Sequence, residues 1–76
     1  MYFKIYLNRD AKLTIVCLQD IDENDYQQHR FVRENGCELK FDKEDDAVKY
    51  LNDNFKIEYI DPFYLFSENL INSMRK

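Results

Sequence analysis

Hydrophobic and polar positions alternate over Tyr2–Leu7, a pattern typical of a β-strand. Phe3, Ile5 and Leu7 would share one face, and Tyr2, Lys4 and Tyr6 would lie on the other. After a polar, turn-like stretch, the nearly continuous apolar run Leu13–Leu18 predicts a second strand. So few polar positions favour a strand that is buried on both faces or that lies centrally in the sheet. The two strands are expected to form a hairpin.

A second hairpin is predicted further along the chain. The segment 29–34 would form a third strand built on Phe31 and Val32, and residues 37–41 alternate as a fourth strand. Asn35-Gly36 lies between them, and both residues tolerate the positive φ that a type I′ turn requires. The polar residues 20–28 are expected to form a loop or a single helical turn.

The pattern then changes from a strand period to a helical period. Asp42 is a candidate N-cap, and the acidic residues that follow it suit the positive end of the helix dipole. Helical spacing predicts that one face packs on the sheet, and its residues are Ala47, Val48, Leu51 and Phe55. The helix is expected to end within residues 52–54. Residues 56–60 are ambiguous and could form a short edge strand.

Asp61-Pro62 predicts the start of a second helix, because Asp caps helices and Pro is favoured at their first position. Its buried stripe would hold Phe63, Phe66, Leu70, Ile71 and Met74. The pattern as a whole predicts an α+β fold in one domain, residues 1–76. An antiparallel sheet of about four strands, made of two hairpins, would carry two helices on one face in the order ββββα(β)α.

Charge narrows the classes of function. The chain has 15 acidic and 11 basic residues, a formal net charge of -4. This balance argues against direct binding to nucleic acid or to an anionic membrane, because both require cationic surfaces. No apolar run is long enough to span a bilayer, so a cytoplasmic location is expected. Cys17 and Cys37 are expected to be buried thiols, although a disulfide between neighbouring strands is also compatible with the sequence.

Candidate chemistry is sparse. Asp20, Asp22 and Asn24 have the spacing that opens a calcium loop, but Asp25 replaces the glycine at position six and Phe31 the glutamate at position twelve. His29 could join the cysteines in a zinc site or a Cys–His pair only if distant segments met. No cofactor is therefore expected and an enzyme is not favoured. A small metal-binding module or enzyme stays an alternative.

Two features suit a binding role instead. Carboxylates form one cluster in the loop and another on the first helix, and the candidate partner-binding residues among them are Asp20, Asp22, Glu23, Asp25, Asp45, Asp46 and Asp53. Such a surface could fit a protein partner with a basic surface, including a groove that normally holds nucleic acid. The second cluster is also explained by helix capping and solubility.

Aromatic residues are the other feature. Six Phe and six Tyr exceed what a small core needs, so several tyrosines should lie at the surface, where tyrosine is a frequent interface anchor. A helix cannot hide four consecutive apolar residues on one stripe. Within residues 63–66, Tyr64 or Leu65 is therefore expected to protrude and to contact a partner.

The Asn35-Gly36 hairpin leading into Phe41-Asp42, the run Asp46–Asn52 and the abundance of Asn, Asp, Lys, Ile and Tyr form a pattern. It resembles the short acidic α+β proteins that bacteriophages and mobile elements of AT-rich bacteria encode. The resemblance implies a protein that blocks a host or defence enzyme, such as a CRISPR nuclease. The acidic surface itself would allow such a protein to act as a mimic of DNA. We therefore expect a non-catalytic inhibitor or modulator of a host protein. A homo-oligomeric structural or adaptor protein, with a homodimer as its simplest form, is the alternative.

Overall fold

The computed structural model describes residues 1–19 and 22–66 of the chain. This part has a mixed α/β architecture with one α-helix and two antiparallel two-stranded sheets. Its elements are β1 (Tyr2–Leu7), β2 (Leu13–Leu18), β3 (Arg33–Glu34), β4 (Cys37–Glu38) and α1 (Glu44–Asn54). The two predicted antiparallel hairpins are confirmed, but they form separate sheets and the helix count differs from the prediction. No helix in the described ranges is both long and apolar enough to cross a membrane.

The β1–β2 hairpin is the centre of the fold. Ile5 lies opposite Ile15, and the ladder continues in register along the full length of both strands. Asn8 holds the connecting turn, because its Oδ1 accepts hydrogen bonds from the backbone N–H groups of Asp10 (2.9 Å) and Lys12 (3.0 Å). Ala11 closes the turn in the left-handed region, with φ of 61°.

One face of the hairpin is covered by α1. Ala47 and Leu51 are fully buried, and they join Ile5, Ile15 and Ile60 in the larger hydrophobic cluster. The helix ends at Asn54, as predicted. Its N-cap is Lys43, whose side chain makes no capping hydrogen bond, so the prediction of Asp42 as the cap is wrong.

The opposite face of the hairpin is also buried. Tyr2, Leu18 and Phe31 form a second cluster there. Tyr6 and Tyr26 complete it with edge-to-face ring contacts at 5.0–5.1 Å between centroids. The prediction that β2 is buried on both faces is therefore confirmed at Leu13, Ile15 and Leu18. The same layering also buries Tyr2 and Lys4 on the second face of β1.

The edge of β1 that faces away from β2 is hydrogen-bonded to later segments of the chain. Phe3 and Phe41 exchange backbone hydrogen bonds of 2.8 and 2.9 Å, and the Val32 N–H donates to the Ile5 carbonyl. The predicted third strand is shorter than expected, because Gln28–Arg30 forms a 3-10 turn that directs Phe31 into the ring cluster.

The predicted type I′ turn is confirmed by positive φ angles at both of its central residues. Asn35 has φ of 53° and Gly36 has φ of 80°. The turn joins the two short strands β3 and β4 in register.

The prediction of an α-helix starting at Pro62 is wrong for the described residues. Pro62–Tyr64 is a single 3-10 turn, capped by the Asp61 carboxylate, and Leu65 is extended with ψ of 137°. Residues 57–59, left ambiguous between a strand and irregular structure, form another 3-10 turn, after which Ile60 bridges to Leu13 in parallel. The other predicted stripe residues, Leu70, Ile71 and Met74, lie outside the described ranges.

Candidate functional site

The most unusual polar group in the core is Lys4, whose side chain is 1% exposed. It leaves the second face of β1, and its Nζ lies 2.5 Å from Glu23 Oε1 and 3.2 Å from Glu38 Oε2. The Phe31 ring lies below it, with 4.7 Å between Nζ and the ring centroid. Two carboxylates and an aromatic face thus compensate the desolvation of one ammonium group.

Glu23 is the counterpart of this buried cation. It accepts hydrogen bonds from Lys4 and from the Tyr2 hydroxyl. These bonds, first that of Lys4 and then that of Tyr2, lower the pKa of Glu23 below the ordinary glutamate value. Glu23 is therefore ionised at neutral pH.

The Lys4 cluster is built for structure. The Lys4 ammonium group contacts two carboxylates and is sealed from solvent, so a substrate in solution could not reach it. The cluster instead joins β1, the 3-10 turn Asp22–Asp25 and β4. Alternation in β1 assigned Lys4 to a strand face but gave no sign of its burial, and the cluster was therefore missed. Tyr2 and Tyr6 on the same face, opposite Leu18 and Thr14, could have indicated a second buried face.

The described residues of the two predicted acidic clusters lie on opposite faces of the hairpin. Glu23 contacts Lys4 on one face, whereas α1 packs on the other. Asp25 is exposed beside Glu23; the predicted residue Asp20 and the Asp22 side chain lie outside the described part. One flat partner surface cannot contact both clusters, and Glu23 is already occupied within the fold.

The cluster on α1 is open to solvent. Asp45, Asp46 and Asp53 are all exposed. Asp53 forms an i,i+4 ion pair with Lys49 at 3.6 Å, which compensates part of its charge. The uncompensated negative field is therefore centred on the first turn, Glu44–Asp46.

The aromatic segment after α1 is arranged differently from the prediction. Phe63 and Phe66 were assigned to a buried stripe, but Phe63 is 82% exposed and Phe66 39% exposed. Tyr64 and Leu65, one of which was expected to protrude, are half-buried against the larger cluster. The prediction assumed a helical period for residues 63–66. A 3-10 turn followed by extended chain replaces that period, so the buried and the exposed positions are interchanged.

Hydrogen bonds hold this segment on α1. Asn52 Nδ2 donates to the Tyr64 carbonyl at 2.9 Å, and its Oδ1 accepts from the Phe66 N–H at 3.1 Å. Burial raises the pKa of Tyr64, and the charges of Glu44 and Asp61 raise it further. The exposed Phe63 packs edge-on against that ring, with 4.9 Å between centroids. Both α1 and the segment that carries Phe63 pack on the larger hydrophobic cluster. We name their two exposed features, the first turn of α1 (Glu44–Asp46) and Phe63, the acidic–aromatic surface.

The cysteines are not buried, contrary to the prediction. Cys17 and Cys37 are both exposed free thiols. Cys17 lies near the end of β2, and Cys37 directly follows the type I′ turn. Among residues 1–19 and 22–66, no three His, Cys, Asp or Glu side chains are grouped so that they could hold a metal ion.

Residues 1–75 match the model of a protein family described as a family of unknown function (DUF8545), and the chain belongs to that family. No curated protein and no solved structure matches the chain.

Proposed function

We propose that the chain is a non-catalytic protein-binding domain that inhibits or modulates a host protein by placing the acidic–aromatic surface on a basic surface. The observation that carries the proposal is Phe63, which is held in solvent at 82% exposure. An aromatic ring of this size contributes most to stability when buried, so its exposure favours a partner that buries it.

Phe63 is also held in a fixed position. The Asp61 carboxylate accepts a hydrogen bond from the Phe63 N–H at 3.0 Å, and the Tyr64 ring supports one edge. A ring whose backbone is already ordered loses less conformational entropy on binding than a ring on a mobile loop. This arrangement suits an anchor residue at the centre of an interface.

The exposed charges on the first turn of α1 indicate the chemistry of the partner. Glu44, Asp45 and Asp46 are exposed and lie in one helical turn. They would attract a protein surface rich in Lys or Arg, such as the groove of a nucleic-acid-handling or defence enzyme. The action of the domain would then be stoichiometric occlusion in the cytoplasm of the host cell.

The test uses the full chain as bait in a lysate of the native host, followed by affinity measurements with the captured protein. Phe63→Ala and the double variant Asp45→Asn/Asp46→Asn should each weaken binding about tenfold or more, as expected for an anchor and for steering charges. Binding of the unmodified chain should weaken as salt rises from 50 to roughly 500 mM, because screening removes the attraction.

Matched controls separate the surface from general effects. Tyr59→Ala removes another exposed aromatic side chain, 53% exposed, and Asp10→Asn removes an exposed charge in the β1–β2 turn. Both should leave the affinity unchanged. Equal losses in the control variants and the test variants, or affinity independent of salt, would refute the proposal.

A further inference from the structure

The outer edge of β2 carries backbone groups that point away from the fold. On β1, Phe3 and Ile5 direct their backbone groups outward to Phe41 and Val32. In an antiparallel ladder, residues directly opposite each other share this direction. Cys17 lies opposite Phe3 and Ile15 opposite Ile5, so both direct their N–H and C=O groups toward the outer edge of β2.

The first half of this edge is covered by the segment after α1. The Asp61 N–H donates to the Leu13 carbonyl at 2.8 Å. The Tyr64 hydroxyl donates to the Ile15 carbonyl at 3.1 Å. Beyond Ile15 the cover ends: in the described ranges, the Cys17 N–H and C=O have no hydrogen-bond partner, and the Cys17 side chain is exposed.

The open edge also lacks the usual protection against pairing. Exposed edge strands commonly carry charged side chains, a proline or a bulge that prevents another strand from joining. The strand Leu13–Leu18 has no charged residue and no proline, and its register with β1 is unbroken. The edge is therefore competent to receive another strand.

We propose that the occupant is β2 of a second copy of this chain, paired antiparallel about a two-fold axis that passes beside Cys17. In this register the Cys17 N–H and C=O bond to the C=O and N–H of the partner's Cys17, so both copies satisfy the same open groups. Registers centred nearer Leu13 would bring the partner strand against the covering segment, residues 60–64. Self-pairing at Cys17 fits the uncovered length and the two-fold symmetry of a homodimer.

In this geometry, a disulfide between the two Cys17 residues would report the formation of the dimer. Residues that form a hydrogen-bonded antiparallel pair have Cα atoms about 5.5 Å apart. Disulfides form at Cα separations of about 4.4–6.8 Å. Mild oxidation should therefore join two copies through Cys17. Two thiols then lose two electrons and two protons to diamide, which becomes the hydrazine.

The crosslinking test compares single-cysteine variants. Cys37→Ser, which keeps Cys17, should give a covalent dimer within minutes in diamide, and Cys17→Ser, which keeps Cys37, should give no covalent dimer. A matched control places the thiol at Gln19 in a chain with both cysteines replaced by serine. In the proposed register Gln19 and the partner's Gln19 are four residues apart along the strand, about 13 Å, so this variant should not crosslink. Equal crosslinking of all three variants indicates random collision and overturns the proposal.

Light scattering under reducing conditions supplies an independent readout. The dimer should be weak, and it should strengthen as salt rises, because each copy carries a net charge of -4 and the copies repel each other. This salt dependence is opposite to that expected for a basic partner, so the two proposals can fail separately.

Variants at Cys17 complete the test. Cys17→Lys would place two ammonium groups side by side at the axis and should abolish the dimer, whereas Cys17→Ser should retain it. A monomer at high micromolar concentration in all salts, including one whose edge is covered by its own chain, overturns the proposal.

Discussion

Ala11 and Lys4 occupy positions that conflict with their side-chain type. Ala11 adopts φ of 61°, where a Cβ atom is crowded by the following carbonyl oxygen. Lys4 is buried at 1% exposure, where a charge is costly unless it is paired. The first conflict is a local backbone strain, and the second is compensated by contacts from three segments. Each conflict predicts a different response to substitution.

Replacing Ala11 with glycine should stabilise the protein. The substitution removes a left-handed strain of roughly 1–2 kcal/mol and adds a glycine entropy cost of roughly 0.5–1 kcal/mol. We expect a net gain of about 0.5–1 kcal/mol in the free energy of unfolding, measured by urea denaturation. Ala47→Gly, in the buried helix face, is the control and should destabilise by about 1 kcal/mol or more. A loss of stability in Ala11→Gly would contradict the left-handed turn.

Glu23→Gln and Lys4→Met should have unequal effects on stability. Glu23→Gln leaves the buried ammonium with Glu38 as its remaining carboxylate, and we expect a loss of about 1–3 kcal/mol. Lys4→Met removes the buried charge and keeps the apolar stem, while both carboxylates can rehydrate. The loss should therefore be smaller than for Glu23→Gln, because the carboxylates that remain are 21% and 40% exposed. Urea midpoints that show Lys4→Met to be the more damaging change would contradict the structural role of the cluster.

The same pair predicts a dependence on pH. Because the hydrogen bonds of Lys4 and then Tyr2 lower the pKa of Glu23 in the folded state, the unfolded chain takes up a proton at Glu23 first. The stability due to Glu23 is thus complete above the ordinary glutamate pKa and is lost as pH falls through the lower pKa of the folded state. The difference in unfolding free energy between the unmodified chain and Glu23→Gln should be largest near pH 7 and should shrink by pH 3. A constant difference would show that the carboxylate charge is not involved.

At the scale of elements, α1 is stabilised more by the burial of its apolar face than by capping at its N-terminus. Glu44, Asp45 and Asp46 suit the helix dipole, but the N-cap position is held by Lys43, whose side chain does not cap. The helix is held chiefly by Ala47 and Leu51 against the hairpin. Its N-terminal turn is therefore the weaker end, and that turn belongs to the acidic–aromatic surface.

Lys43→Ser should strengthen α1. Serine accepts a hydrogen bond from the N–H groups of the first turn, and the change removes a cation from the positive end of the helix dipole. We expect a gain of about 1 kcal/mol in unfolding free energy by urea denaturation. Asp42→Ser, one residue earlier, is the control and should change stability little. An equal gain at both positions would place the cap elsewhere.

The sequence predicted local elements better than their partners. The β1–β2 hairpin, the Asn35-Gly36 turn and the end of α1 follow from nearest-neighbour patterns, and all are present. The burial of Lys4 depends on Glu23, a residue 19 positions away, and no local period contains that information. The exposure of Phe63 depends on a 3-10 turn of three residues, which is too short to impose a hydrophobic period.

At the scale of the whole molecule, the described part is a three-layer arrangement around one hairpin. The helix covers one face, the segment 22–31 covers the other, and the β1 edge is bonded to Val32 and Phe41. The proposed partner surface lies on the helix side, and the open β2 edge lies beside it, joined through Tyr64. An acidic–aromatic surface and a dimer edge can therefore act in the same molecule.

The unequal bonding of the two strands has a consequence for amide hydrogen exchange. The Phe3 amide, which β1 donates outward to Phe41, should exchange near the rate set by global unfolding. The Cys17 amide, on the open edge of β2, should exchange orders of magnitude faster in a dilute sample. As the protein concentration rises, pairing with a second copy would slow the exchange of the Cys17 amide in proportion to the fraction of dimer.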